Sequence, residues 1–160
     1  ERTKVIEMLN EVIHILKQKT GARAGIHCCG NTDWSMLLDT EADIVSLDAY
    51  GFGEYFVLYP NEITKFLNRG GVVAWGLVPT AEYRASVTLN EIRKKFRMCL
   101  DNLASKGLNT NILLRQSLIT PSCGAGLMRE ADATMVHILT SELSADFISA
   151  GSIIEEWAQT

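Results

Sequence analysis

The side chains best suited to chemistry in this sequence are a histidine and a cysteine two residues apart, His27 and Cys29. They end an apolar run, and residues two apart on a strand point to the same side, so an imidazole and a thiolate can reach into one space. Another isolated cysteine, Cys123, follows a second apolar run far downstream, within Thr-Pro-Ser-Cys-Gly. One nitrogen and two sulfurs suit zinc, and three protein ligands leave one coordination position free for chemistry.

A structural interpretation of the same residues is also open, in which a buried histidine lies beside small apolar cysteines. The zinc interpretation is favoured because of where the residues fall: His27 and Cys29 end the first predicted strand, Asp48 ends the second, and Cys123 follows the fourth. In parallel α/β folds, functional sites form at the C-terminal ends of the strands. Asp48 is a candidate fourth ligand, a candidate partner for His27, or a residue that caps a loop, and the sequence leaves these three roles open.

These residues require a set of strands and helices to position them. The pattern predicts strands at 23–29, 43–48, 72–78 and 112–118, and helices at 4–19, 33–39, from Pro60 to Gly70-Gly71, from Thr88 to Gly107, and at 127–148. Either Asn31 or Thr32 is expected to cap the second helix. Residues 51–54, with two glycines, are interpreted as an active-site loop or a simple turn. Apolar strands that alternate with helices indicate an α/β fold with a parallel sheet covered by helices.

The composition excludes several classes of protein. The chain has 160 residues, 47% hydrophobic and 21% charged, which is enough apolar material for one packed domain covering 1–160. A net charge of −4 argues against a general nucleic-acid binder. No apolar run approaches the roughly 20 residues of a membrane span.

The remaining cysteines are predicted to be structural. Cys28 should point to the opposite face of its strand from its neighbours, and Cys99 lies on the apolar stripe of a helix. Four cysteines in a chain of this length do not suggest a disulfide framework. Reduced thiols, and therefore a cytoplasmic location, are expected.

Taken together, the motifs resemble those of a known superfamily. The run His-x-Cys-Gly-Asn-Thr at 27–32, the acidic residue Asp48 after the next strand, and the turn Pro-x-Cys-Gly around Cys123 are similar to the MetE-like and uroporphyrinogen-decarboxylase-like superfamily. Within it, the chain resembles the catalytic domain of cobalamin-independent methionine synthases and the methylcobalamin:coenzyme M methyltransferases. The resemblance covers nearly the whole chain. Methionine synthases have a glutamate ligand where this chain has Asp48, and the family's acidic residue after the third strand is replaced by Pro79-Thr80.

The resemblance implies a (β/α)8 barrel with a catalytic zinc held by His27, Cys29 and Cys123, with Asp48 as a further ligand or catalytic residue. It implies transfer of a methyl group to a zinc-activated small-molecule thiol. The methyl donor is expected to be a methylated folate or a corrinoid protein.

The chain is also short for such a barrel. A complete barrel needs about 250 residues, and the four strand–helix units here correspond to the C-terminal half. Because an isolated half-barrel exposes two strand edges, we expect either a homo-oligomer or a partner that supplies the N-terminal half. Two alternatives stay open: a non-catalytic domain that uses zinc for stability or assembly, and a metal-free, decarboxylase-like barrel.

Overall fold

The computed structural model describes residues 1–81 and 87–151 and contains one parallel β-sheet. Its four strands lie side by side in the order in which they occur in the chain, and every neighbouring pair is parallel. The strands are β1 (Gly25–Cys28), β2 (Ile44–Leu47), β3 (Val72–Val78) and β4 (Ser117–Pro121).

Helices precede, separate and follow these strands. They are α1 (Arg2–Thr20), α2 (Trp34–Leu38), α3 (Ala49–Phe56), α4 (Pro60–Asn68), α5 (Leu89–Ser105), α6 (Thr110–Arg115) and α7 (Glu130–Gly151). The α/β class predicted from the sequence is therefore confirmed. Within the described ranges, no helix combines the length and hydropathy needed to cross a bilayer.

Several helix ends follow from local sequence signals. Gly21 ends α1 in the left-handed conformation (φ 66°), which glycine adopts without steric cost. Pro60 occupies the first turn of α4, where its missing N–H has no role in the helix. Thr88 and Glu91 form the predicted capping box of α5, each side chain bonding the other's backbone N–H.

The prediction of a strand over 112–118 is wrong for most of its length. The chain forms helix α6 over Thr110–Arg115, and β4 begins only at Ser117. The Asn109 side chain accepts hydrogen bonds from the backbone N–H groups of Asn111 and Ile112, which starts a helix there. A short apolar run fits a strand or a buried helix equally well, so periodicity alone could not separate them.

Residues 51–54 are helical, and neither of the two interpretations of this segment as a loop or turn is correct. They belong to α3, whose N-cap is Asp48. Gly53 faces α5 so closely that a Cβ atom there would lie 2.9 Å from the Cys99 sulfur. The glycine therefore serves helix–helix packing. Helix α2 likewise begins later than predicted, because Asp33 is its N-cap instead of Asn31 or Thr32.

The core between sheet and helices is built on a line of aromatic rings. Trp34, Phe56, Trp75 and Phe96 contact one another in sequence, with ring centroids 5.3–5.5 Å apart in edge-to-face geometry. All four side chains are almost completely buried. The indole N–H of Trp75 donates to the hydroxyl of Ser117 at 3.0 Å, so its polar atom is satisfied.

The two faces of the sheet differ. The strand order follows the chain, and crossovers between parallel strands share one hand, so successive crossover helices lie on the same face. On that face the side chains of the inner strands β2 and β3 are fully buried, and those of the outer strands β1 and β4 are half-buried. The opposite face includes one row that pairs across all four strands, in which the first and last residues are exposed: His27, Ser46, Ala74 and Leu118.

Candidate metal centre

His27 and Cys29 lie at the C-terminal end of β1, as predicted. His27 is within the strand and Cys29 directly follows it, and both side chains are exposed. Cys28 between them packs against the core, and its thiol donates to the Gly30 carbonyl oxygen at 3.4 Å. The alternation of the strand therefore separates one structural cysteine from the two residues that face the open side.

Cys123 joins these two residues in space. One imidazole nitrogen of His27 and the sulfurs of Cys29 and Cys123 all lie within 4.8 Å of one another. Around a tetrahedral zinc with bonds of about 2.0–2.3 Å, ligand atoms lie about 3.5–3.8 Å apart. The three donor atoms thus need to move only slightly to hold such an ion.

The His27 ring is oriented by a residue on the neighbouring strand. Its Nδ1 lies 2.9 Å from the hydroxyl oxygen of Ser46, the residue that pairs with His27 in the sheet register. If Nδ1 carries the proton and donates to Ser46, then Nε2 has a free lone pair for a metal. A hydrogen-bond partner on the second ring nitrogen is the usual companion of a metal-binding histidine.

The two thiols at the site influence each other. The pKa of the Cys29 thiol is raised, first by its hydrogen bond with Cys123 and next by the negative charge that Cys123 carries when ionised. Two adjacent thiolates repel each other, and a divalent cation between them removes that repulsion. Thiolate sulfurs are soft ligands, so a soft divalent metal would suit the pair.

Asp48 has a different set of contacts. Its carboxylate accepts a hydrogen bond from the Gly51 backbone N–H at 2.8 Å and so caps α3. Burial raises the pKa of this carboxyl group and outweighs the N–H bonds and the charges of His27 and Lys95, which lower it. Among the described residues, the cluster of ligand atoms contains His27, Cys29 and Cys123 and does not include Asp48. A capping role is thus observed, at the start of helix α3 and not in a loop, and a role at the metal stays a prediction.

Sequence reasoning missed three polar residues that lie beside the candidate ligands. Ser46 lies on β2 two residues before Asp48, and strand alternation could have placed it on the same face as His27. Ser122 and Thr80, which bond each other beside Cys123, gave no signal, because their contact depends on how β3 and β4 pair. Cys99 is buried in the core, as predicted.

The three donor atoms could therefore hold a metal ion and leave one coordination position open. Comparison of the chain with protein-family models, with curated proteins and with solved structures gave no match in any of the three.

Proposed function

We propose that this chain binds zinc through His27, Cys29 and Cys123 and uses the free coordination position to activate a thiol for methyl transfer. The observation that carries the metal proposal is the convergence of three donor atoms within 4.8 Å from two segments far apart in sequence. A closed structural site has four protein ligands, whereas three ligands with an open position are typical of catalytic zinc. The exposure of His27 and Cys29 supports access by a small molecule.

Each residue has a separate role in this proposal. Cys29 and Cys123 would supply negative charge to the ion, and Ser46, bonded to His27 Nδ1, would leave Nε2 free to bind it. Zinc, when bound, would lower the pKa of an acceptor thiol so that its thiolate forms near neutral pH. The acceptor sulfur forms a bond to the methyl carbon while the donor's bond to that carbon breaks, leaving the electron pair on the donor. Asp48 is proposed either to orient His27 or to occupy the fourth position until the thiol arrives.

The nature of the donor comes from the family resemblance. The His-x-Cys and Pro-x-Cys-Gly motifs resemble those of methyltransferases that use a methylated folate or a methylated corrinoid, and we propose one of these as the donor. The residues at the metal do not choose between them, because they contact the acceptor side of the reaction.

We further propose that the sheet is half of a (β/α)8 barrel. Four parallel strands in chain order, with crossovers in one direction, support this arrangement, because a doubly wound sheet reverses its strand order. The free edges of β1 and β4 then need partner strands, which a second copy or an N-terminal half-barrel would supply. Sedimentation at micromolar concentration tests self-association, and a monomer with no partner would count against it.

The first experiment is the metal content of reduced protein purified without added metal. We expect about one zinc per chain, as for a single three-ligand site, and loss of that zinc in Cys123→Ser. Cys28→Ser is the matched control, since it changes a neighbouring cysteine that faces the core and should retain zinc. Wild-type protein without zinc, or Cys123→Ser with full zinc, would overturn the proposed site.

The second experiment asks whether the site is open. With Co²⁺ in place of zinc, a thiol that binds at the free position adds a sulfur-to-metal charge-transfer band. Such a change on addition of a small thiol supports activation of the acceptor. A tetrahedral spectrum that does not respond to thiols would favour the non-catalytic zinc domain instead.

A further inference from the structure

Cys123 belongs to the segment after β4, at the opposite edge of the sheet from His27 and Cys29. It follows β4, while His27 and Cys29 end β1, and β2 and β3 lie between them. Neighbouring strands are about 4.8 Å apart, so three spacings separate the outer strands by about 14 Å in a flat sheet. The Cys123 sulfur nevertheless lies within 4.8 Å of the donor atoms on the other edge. Curvature of the sheet and the turn after β4 must together close this gap.

The turn after β4 passes directly over a glycine of β3. A Cβ atom at Gly76 would lie 2.5 Å from the Leu47 carbonyl oxygen, 2.7 Å from the Ser122 Cα and 3.0 Å from the Pro121 carbonyl oxygen. All three are backbone atoms, so no side-chain rotation can relieve the contact. The end of β2, the middle of β3 and the turn that leads to Cys123 therefore meet at a point where only glycine fits.

A buried serine fastens the same turn to the end of β3. The Ser122 N–H donates to the Val78 carbonyl oxygen at 2.8 Å. Its hydroxyl oxygen accepts from the Thr80 backbone N–H at 3.1 Å and lies 3.2 Å from the Thr80 hydroxyl oxygen. Ser122 is 2% exposed and Thr80 is 7% exposed, so these bonds are shielded from water. Three contacts thus fix the residue immediately before Cys123.

We propose that Gly76, Ser122 and Thr80 act together as positioning residues that carry Cys123 across the sheet to the metal. This inference rests on the proposed metal site and adds the parts of the chain on which that site depends. None of the three residues is a ligand. Gly76 leaves space for the turn after β4 to pass over β3, and the Ser122–Thr80 pair fixes the position of that turn just before Cys123.

The size of the required displacement gives the expected effect. Ordinary van der Waals contact begins near 3.4 Å, so an alanine at position 76 must move the Leu47 oxygen or its own strand by about 0.9 Å. Functional constellations tolerate misplacement of only about 0.5 Å. Gly76→Ala should therefore separate Cys123 from the other two ligands, and we expect Co²⁺ affinity to fall at least tenfold with loss of one thiolate's charge-transfer intensity.

Gly71→Ala is the matched control. Gly71 immediately precedes β3 at its other end, and a Cβ there would lie 2.6 Å from the Phe66 ring. The clash at position 71 is as close as the one at position 76, but it is with a core side chain, at the end of β3 that lies far from the metal ligands. Gly71→Ala should lower stability while keeping the charge-transfer intensity of two thiolates. Equal loss of intensity in both variants would overturn the inference, because it would indicate general destabilisation.

Two conservative substitutions at Thr80 test its contact with Ser122 without introducing a steric clash. Thr80→Ser keeps the hydroxyl beside Ser122, whereas Thr80→Val removes it at nearly constant volume. We expect Thr80→Ser to retain the two-thiolate Co²⁺ spectrum, and Thr80→Val to weaken Co²⁺ binding several-fold. Identical spectra and affinities for the two variants would contradict the proposed role of the pair.

A metal-free readout separates this inference from the proposed function. Phenylarsine oxide bridges two neighbouring thiols with release of one water, and mass spectrometry identifies the bridged pair. Bridging of Cys29 to Cys123 is expected in wild type and Gly71→Ala and should be lost in Gly76→Ala. If wild type bridges these thiols but binds no Co²⁺, the proposed function fails and the positioning role stands. If Gly76→Ala bridges them as readily as wild type, the positioning role fails.

Discussion

Removing the Ser46 hydroxyl should weaken zinc binding without removing a ligand. Ser46→Ala deletes the partner of His27 Nδ1, which lies 2.9 Å away, a normal hydrogen-bond length. A neutral hydrogen bond contributes about 0.5–1.5 kcal/mol net, which corresponds to a factor of about 2 to 12 in affinity. Groups that orient metal-bound histidines typically contribute about 10- to 100-fold. Because His27 is exposed and water can partly replace the serine, we expect a loss of about fivefold to tenfold.

The assay is competition for Zn²⁺ with a chromophoric chelator at constant pH. Ser105→Ala is the control, since it likewise removes a serine hydroxyl that makes a hydrogen bond, here to the Asn102 backbone carbonyl oxygen at 2.8 Å, but on helix α5 away from the ligands. In a His27→Ala background, the Ser46 substitution should have no further effect. A change below twofold in the wild-type background, or an equal change in the His27→Ala background, would refute the idea that Ser46 acts through the imidazole.

Three other predictions concern the residues around the site. Burial raises the pKa of the Cys99 thiol to about 11 from an ordinary 9.0. The folded state therefore has a stability contribution from the neutral thiol that is complete below pH 9 and is lost as the pH rises through 11. Denaturant titrations should show the free energy of unfolding declining over that range, and the decline should be smaller in Cys99→Ala. Thr88→Ala breaks the capping box of α5 and should lower the free energy of unfolding by about 1 kcal/mol, measured by the same titrations. Asp48→Asn should keep the cap of α3, since asparagine is an equally good N-cap. Its effect on zinc affinity separates the two proposed roles of Asp48: a loss of about tenfold is expected of a group that orients His27, and a loss above a hundredfold is expected of a ligand. Unchanged zinc affinity would contradict both roles.

The sequence predicted the elements whose signals are local. The apolar run at 72–78 matches β3 residue for residue, and Thr88 with Glu91 starts α5 as expected. It also predicted that His27, Cys29 and Cys123 meet, because strand ends in a parallel sheet share one edge. Asp48, which was predicted to join them, lies outside that cluster.

The remaining features depend on contacts between distant segments. The segment around Ile112 forms a helix because Asn109 caps it, although its composition suits either state. Gly53 appeared to mark a loop, but its small size serves packing against Cys99. Neither the route of Cys123 over Gly76 nor its fixation by Ser122 could be inferred before the pairing of β3 with β4 was known.

The placement of the three ligands also has a mechanical consequence. Two lie in β1 or directly after it and one lies after β4, so a bound ion would join the two outermost strands of the sheet. It would also close a chain loop that contains most of the protein. A cross-link of that kind restricts the unfolded chain much as a disulfide between the same residues would, and the entropy it removes grows with the length of the loop. At a free metal concentration one hundred times Kd, the folded state gains about 2.7 kcal/mol. Removal of the ion should therefore first loosen the outer strands β1 and β4, before any change in the aromatic core.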